Sequence, residues 1–474
     1  MEKSFSLLPF YLLYLLCCIS SFHIKLVSAF GNVDGSEQWG YVQVRPKAHM
    51  FWWLYRSPQR VDNASTPWPT VLWLQGGPGG SGVGIGNFQE IGLLDTSLKP
   101  RNSTWLQKED LLFVDNPVGT GYSFVEDEKL LVKTDWEAAT DLTTLLKKLY
   151  NENESLQRSP LFIVAESYGG KFAVTLGLSV VKAIKAGTLK LKLGGVVLGD
   201  SWISPEDFIF SWGPLLLDVS RLGINDANRS NSVAEGIGRQ LAKGQYYEAT
   251  ITCQDLQNQI LRDSHGVDFY NFLRDAGSYP ISGMAVALSD KIDMKKGYSM
   301  YLSSNASSVD LASLMNGVIK EKIKIIPKNV SWGGQSDSVF NALMNEYMKP
   351  RINEVDQLLS LGVNVTIYNG QLCIPFLDLI CATKGTLAWV QKLKWEGLEY
   401  FTTSGRYALY CDNNEDTKAY IESYQNLRFY WILGAGHFVP LDQPCMALKM
   451  LGDITQSPAA SSSYMKDINE ETRC

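Results

Sequence analysis

Ser167 closes an apolar run, Leu161-Phe162-Ile163-Val164-Ala165-Glu166, and a helix-compatible stretch at 171–186 follows it. That is the outline of a nucleophile elbow, a tight strand-to-helix turn that lifts a serine Oγ clear of a sheet. Such a turn strains the backbone and needs small neighbours. Ala165 and Gly169 supply them, although the commoner pattern has glycine where Ala165 stands. A second chemical feature follows the apolar run at 70–74: Gln75-Gly76-Gly77-Pro78-Gly79-Gly80-Ser81-Gly82. Glycines let backbone N–H groups approach a ligand closely, which is what an oxyanion hole requires. A phosphate-cradling loop would carry a Lys followed by Ser or Thr, and both are missing.

A serine nucleophile needs a base, and the chain has only four histidines. His23 lies in a targeting segment. The α/β-hydrolase order of serine, then acid, then histidine excludes His49. His265 sits in the polar Asp263-Ser264-His265-Gly266-Val267, with no apolar strand before it. His437 follows the apolar Phe429-Tyr430-Trp431-Ile432-Leu433 in a Gly434-Ala435-Gly436-His437-Phe438-Val439-Pro440 loop. A loop after a core strand is where such a base is displayed.

Elements that must position these residues are legible as apolar runs. Residues 41–44 and 51–55 read as a strand pair, and 70–74, 111–114, 161–165 and 195–198 as buried strands. Helical patterns at 136–150 and 171–186 alternate with them, the rhythm of a mostly parallel sheet. From 205 to 325 the rhythm lapses into polar, helix-rich sequence, read as an inserted helical cap dividing a core of residues 30–204 and 326–456. The core resumes with a long helix at 341–361, strands at 363–368 and 427–433, and a closing helix at 447–454. Residues 457–474 are small and polar, and read as a disordered tail.

At 474 residues the chain exceeds the roughly 250–300 at which a single core stops growing, so a core with an insertion is expected. A hydrophobic content of 45% and a formal charge of -6 fit a globular protein and argue against a nucleic-acid partner. Lys3, an apolar stretch at 7–19 and Val27-Ser28-Ala29 read as a signal peptide spanning residues 1–29. No later stretch is long and apolar enough to span a bilayer, so the expectation is a soluble protein of the secretory route, extracellular or vacuolar/lysosomal. Sequons at Asn63, Asn102, Asn153, Asn228, Asn305, Asn329 and Asn364 fit that route. Beyond the leader remain Cys253, Cys373, Cys381, Cys411, Cys445 and Cys474, among which the sequence chooses no pairing. None has zinc-site spacing, so neither a metal nor a cofactor is expected.

Taken together, the Gly-Gly-Pro-Gly loop, Asp115-Asn116-Pro117-Val118-Gly119-Thr120-Gly121-Tyr122-Ser123, Glu166-Ser167-Tyr168-Gly169-Gly170, Gly199-Asp200-Ser201-Trp202-Ile203, Ser331-Trp332-Gly333-Gly334-Gln335 and Gly436-His437 resemble the serine carboxypeptidase family. The similarity runs from about Trp39 to about Ile454. It implies an α/β-hydrolase fold with Ser167 as nucleophile, His437 as base and then acid, and the Gly77 and Tyr168 amides as oxyanion donors. It also implies that Gln75, Glu90 and Glu166 hold the free carboxylate of a peptide's C-terminus. Gln75 stands where many members carry Asn. Two acids facing a carboxylate require that one be protonated, which favours acidic pH.

The third triad member is where the sequence departs from the family. Members place an Asp directly after the segment matching Gln371-Leu372, whereas here Cys373-Ile374-Pro375-Phe376-Leu377 precede Asp378. Three arrangements follow: the extra residues loop out and Asp378 still reaches His437, another carboxylate substitutes, or the triad is broken. The resemblance therefore implies a serine carboxypeptidase acting on peptide or protein C-termini. The alternatives are an acyltransferase with sugar-ester donors on the same scaffold, and a catalytically impaired hydrolase-fold protein.

Overall fold

The structure, a computed structural model, describes residues 30–61, 67–275, 310–371, 377–411 and 416–459. The expected leader, the sequons at Asn63 and Asn305, and residues 373–376 of the inserted stretch lie outside these.

The strands are β1 (Phe30–Gly31), β2 (Glu37–Arg45), β3 (Ala48–Tyr55), β4 (Thr70–Leu74), β5 (Asp110–Val114), β6 (Phe124–Val125), β7 (Leu161–Glu166), β8 (Leu193–Gly199), β9 (Val365–Gln371), β10 (Tyr407–Leu409), β11 (Ala419–Tyr424) and β12 (Leu427–Leu433). They form one 12-stranded sheet in the order β1-β2-β3-β5-β4-β7-β8-β9-β12-β11-β10, with β6 paired to β3. The central run β5-β4-β7-β8-β9-β12 is parallel, and the flanking pairs are antiparallel. Parallel strands are covered on both faces and so read as unbroken apolar runs. Every residue of β4, β5 and β7 is accordingly buried.

Register decides where the chemistry falls. Leu74 lies opposite Ala165, Glu166 opposite Gly199, and Gly199 opposite Tyr368. Gln371 lies opposite Leu433. The residues that follow β4, β7, β8 and β12 therefore gather at one edge, the carboxyl ends where parallel sheets place their sites. Beneath that edge the helix Gly169–Lys185 packs on β7 and against the helices Asp135–Asn151 and Ile352–Ser360. Helices Pro205–Asp218, Ile224–Ala242 and Tyr246–Asp263 occupy much of the stretch read as a cap.

Four expectations need correction. The single helix expected at 341–361 is three short ones, Asp337–Ala342, Met344–Tyr347 and Ile352–Ser360. Pro350 lacks an N–H and biases Lys349 away from helical backbone, so the apolar periodicity persists while the helix does not. The closing helix begins earlier than expected, at Pro444, because proline suits the first helical turn. The antiparallel edge strands β10 and β11 were not expected at all. Finally, Ser457, read as the start of a disordered tail, is buried and donates to the Lys108 carbonyl at 2.6 Å.

Candidate active site

Ser167 has φ +59°, a left-handed conformation that costs a non-glycine residue strain. The turn is held by Ser167 N–H donating to the Gly199 carbonyl at 3.0 Å and by the Ser167 carbonyl accepting from Trp202 N–H at 2.9 Å. The glycine-rich loop lies directly against it. A Cβ at Gly76 would come within 2.6 Å of Ser167 Cβ and 2.9 Å of the Tyr168 amide nitrogen, so no larger residue fits there. Neither the Gly77 nor the Tyr168 amide has a hydrogen-bond acceptor among the described residues. Two amides left without acceptors beside a strained serine are suited to a developing oxyanion.

Two motifs buttress this loop from behind. Asp115 accepts from Ser81 Oγ at 2.6 Å and from the Val83 and Tyr122 amides at 3.1 and 2.7 Å. Burial nevertheless pushes its carboxyl up to about 6. Trp332 Nε1 donates to Ser81 Oγ at 2.9 Å, and Gln335 Nε2 donates to the Pro78 carbonyl at 2.6 Å.

His437 and Asp378 are fully buried, and Nδ1 lies 2.9 Å from Asp378 Oδ2. Of the carboxylates the sequence left open, Asp378 is the one that meets the imidazole. Leu377, the inserted residue that is described, is buried, and its carbonyl accepts from Phe272 N–H at 3.0 Å. With Nδ1 held by a carboxylate, Nε2 is the nitrogen left to exchange a proton. Nε2 is buried with no hydrogen-bond partner among the described residues, Ser167 Oγ included.

Gln75 joins the two acids. Its Nε2 donates to Glu90 Oε1 at 3.0 Å and to Glu166 Oε1 at 2.8 Å, and Trp73 Nε1 donates to its Oε1 at 2.6 Å. Gln75 Nε2 thus brings the two carboxyls together, with Oε2 of each left without a hydrogen-bond partner among the described residues. Burial raises both, and Glu166, facing Glu90 as well, is pushed well above the usual carboxylate range.

Sequence reasoning missed two residues here. The Tyr270 carbonyl accepts from His437 N–H at 3.0 Å, and its ring meets the imidazole edge-on at 5.2 Å. Asp200 is buried just past β8, its Oδ1 accepting from the Gly370 amide at 2.9 Å and from Asn369 Nδ2 at 3.1 Å. Gly199-Asp200-Ser201 carried a signal for Asp200 within the family motif, whereas nothing local marks Tyr270. Cys381 completes a compact group with Asp378 and His437. Burial pushes its thiol well up, which keeps it protonated and a poor metal ligand. His265, set aside by the sequence, is an exposed turn residue.

Comparison with known proteins bears on this geometry. Residues 29–457 match the serine carboxypeptidase family. Serine carboxypeptidase-like 51 of Arabidopsis thaliana is 62% identical over 437 residues, covering 90% of this chain and 94% of that protein. Retinoid-inducible serine carboxypeptidase of Rattus norvegicus is 48% identical over 428 residues, covering 89% and 92%. Among solved structures, the prohormone-processing carboxypeptidase Kex1(delta)p of Saccharomyces cerevisiae matches with a TM-score of 0.72 at 21% identity, over 89% of this chain and 91% of that one. That likeness identifies the α/β-hydrolase fold.

Proposed function

The chain belongs to the serine carboxypeptidase family of hydrolases, and on that premise we propose that it removes C-terminal residues from peptides through an acyl-enzyme, best at acidic pH. In this reading Ser167 Oγ attacks the last peptide carbonyl while His437 Nε2 takes its proton. Asp378 holds the tautomer and stabilises the imidazolium. The Gly77 and Tyr168 amides receive the oxyanion. His437 then protonates the departing amine, and water repeats the sequence to release the acyl group.

The observation that carries the proposal is the Gln75 bridge between Glu90 and Glu166, one residue from the nucleophile. Held neutral by burial and by Glu90 beside it, the Glu166 carboxyl can donate to a substrate's terminal carboxylate, whereas two carboxylates would repel it. As pH rises and that proton is lost, KM for a peptide with a free C-terminus should rise. An amidated peptide makes no such demand, so its KM should change less. Equal pH dependence of the two would overturn the reading, as would turnover of a glucose ester to an alcohol acceptor with no peptide hydrolysis.

We also propose passage through the secretory route to an extracellular or vacuolar/lysosomal site. The Cys411–Cys445 disulfide supports an oxidising compartment. Asn102, Asn228, Asn329 and Asn364 are exposed and Asn153 is half-buried, as glycan acceptors should be. No described helix is long and apolar enough to cross a membrane. Glycosidase treatment of secreted protein, followed by a mass shift on a gel, tests this; a protein retained in the cytosol without glycans would contradict it.

A further inference from the structure

The glycine loop after β4 closes on itself, with Gly80 N–H donating to the Gly76 carbonyl at 2.9 Å. That carbonyl and the Gly77 N–H belong to one trans peptide plane and point in opposite directions, so whatever fixes Gly80 also aims the Gly77 amide. Gly77 and Gly79 have φ of +109° and +100°, conformations that glycine reaches because it has no side chain to restrict it. Such a loop does not hold its own shape. Its neighbours must impose it.

Residues 334–336 do so. Gly80 pairs with Gln335 in an isolated antiparallel bridge. Ser81 N–H donates to the Gly334 carbonyl at 3.0 Å, and Ser336 N–H donates to the Gly79 carbonyl at 2.9 Å. Between these anchors the Gln335 carboxamide spans the turn: Nε2 donates to the Pro78 carbonyl at 2.6 Å, and Oε1 lies 2.7 Å from where a Cβ on Gly77 would stand. The segment is itself held through Trp332. Trp332 Nε1 donates to Ser81 Oγ at 2.9 Å, its N–H donates to Asn316 Oδ1 at 2.8 Å, and its carbonyl accepts from Asn316 Nδ2 at 3.0 Å.

We propose that Gln335 is a positioning residue for the oxyanion hole: its carboxamide fixes the Gly77-Pro78 corner so that the Gly77 amide points at the developing oxyanion. This inference rests on the reading of Gly77 as an oxyanion donor given above. Such a donor acts on the transition state and not on bound substrate, so a fault in its aim lowers kcat and spares KM. Gln75, which would hold the chain end, is anchored separately by Trp73, Glu90 and Glu166, and does not depend on Gln335. A side chain that merely filled space would change stability and leave kcat of the folded enzyme alone.

Steady-state hydrolysis of a blocked dipeptide by the secreted full-length protein tests this. Gln335→Ala should lower kcat on the order of 10²-fold, the cost of a misplaced catalytic group, with KM within about a factor of two of the native value. Gln335→Glu keeps the shape of the side chain but donates to the Pro78 carbonyl only while its carboxyl is protonated. Its kcat relative to native should therefore be highest at the acid end of the profile and fall as that carboxyl ionises. Native kcat in Gln335→Ala, or a loss carried by KM alone, overturns the proposal. Should Gln335→Ala fail to fold, Gln335→Glu decides, and a ratio to native that is flat across pH overturns it. Labelling of Ser167 by a fluorophosphonate separates this inference from the function it rests on. A native protein that labels without hydrolysing peptides counts against the peptidase reading alone, and the labelling rates of the same variants, expected to fall in the same order, then carry the test.

Discussion

A single hydrogen bond, His437 Nδ1 to Asp378 Oδ2 at 2.9 Å, selects the imidazole tautomer whose Nε2 accepts the Ser167 proton in the proposed mechanism. Members of such a unit fail together, so Ser167→Ala and His437→Ala should each reduce peptide hydrolysis on the order of 10⁴-fold or more while secretion continues. Comparable residual activity in either variant would remove that residue from the mechanism. Glu166→Gln keeps a donor beside Gln75 but never bears charge, so it should flatten the rise of KM with pH for free-acid peptides. Steady-state KM across acidic to neutral pH is the measurement, and an unflattened profile would take Glu166 out of chain-end recognition. At this scale the sequence was informative where chemistry depends on immediate neighbours. Ser167 was legible from its strand and small flanks, and His437 from the loop after an apolar run. Asp378 was legible only through family resemblance, and its approach past five extra residues had to await the fold. Asp200 and Tyr270 make their contacts with distant strands and loops, which no local pattern records.

The elbow is anchored as an element, through the helix it opens. Tyr168 Oη donates to Asp135 Oδ1 at 2.8 Å, and Arg351 Nε donates to Asp135 Oδ2 at 2.9 Å. Lys171 Nζ lies 3.8 Å from the same carboxylate and, despite it, burial brings this lysine down to about 8. Tyr168 also stacks on Tyr347 at 5.8 Å, and Tyr347 meets Trp202 at 5.5 Å, linking the elbow to the helix Pro205–Asp218 through the Trp202–Phe208 stack. Asp135→Ala strips a buried acceptor from two cations and a phenol, so it should destabilise by about 3–5 kcal/mol in denaturant unfolding. A change within experimental error would mean the charges are compensated elsewhere. Buried parallel strands were readable because both their faces are covered. Strand β11, Ala-Tyr-Ile-Glu-Ser-Tyr, sits near the sheet edge with part of its surface in water, so its mixed composition resembled a loop. The break at Pro350 was written in the sequence but overridden by helical periodicity on both sides.

At the scale of the whole molecule, the same sheet edge that gathers the site also concentrates acids away from water. Glu90, Glu166 and Asp200 are raised by burial there, Asp115 is raised to about 6 behind the glycine loop, and Glu109 is raised well up elsewhere in the core. Each of these groups binds its proton more tightly folded than unfolded, so between its two pKa values the folded state holds more protons. Stability then falls with rising pH. For Asp115 the contribution is complete below the unfolded value of 3.8 and is lost as pH rises through about 6. The more strongly raised acids extend the loss to higher pH. The melting temperature should therefore be higher near pH 5 than near pH 7.5, by an amount on the order of 5 °C. Asp200→Asn removes one of the ionisations that drive the decline while retaining its hydrogen bonds, so the difference between the two conditions should narrow. Thermal unfolding by circular dichroism at matched ionic strength tests both statements. A native protein equally stable at the two pH values would show that these acids titrate without penalty. An Asp200→Asn variant with the native slope would show that Asp200 is ionised alike in the folded and the unfolded chain across this range.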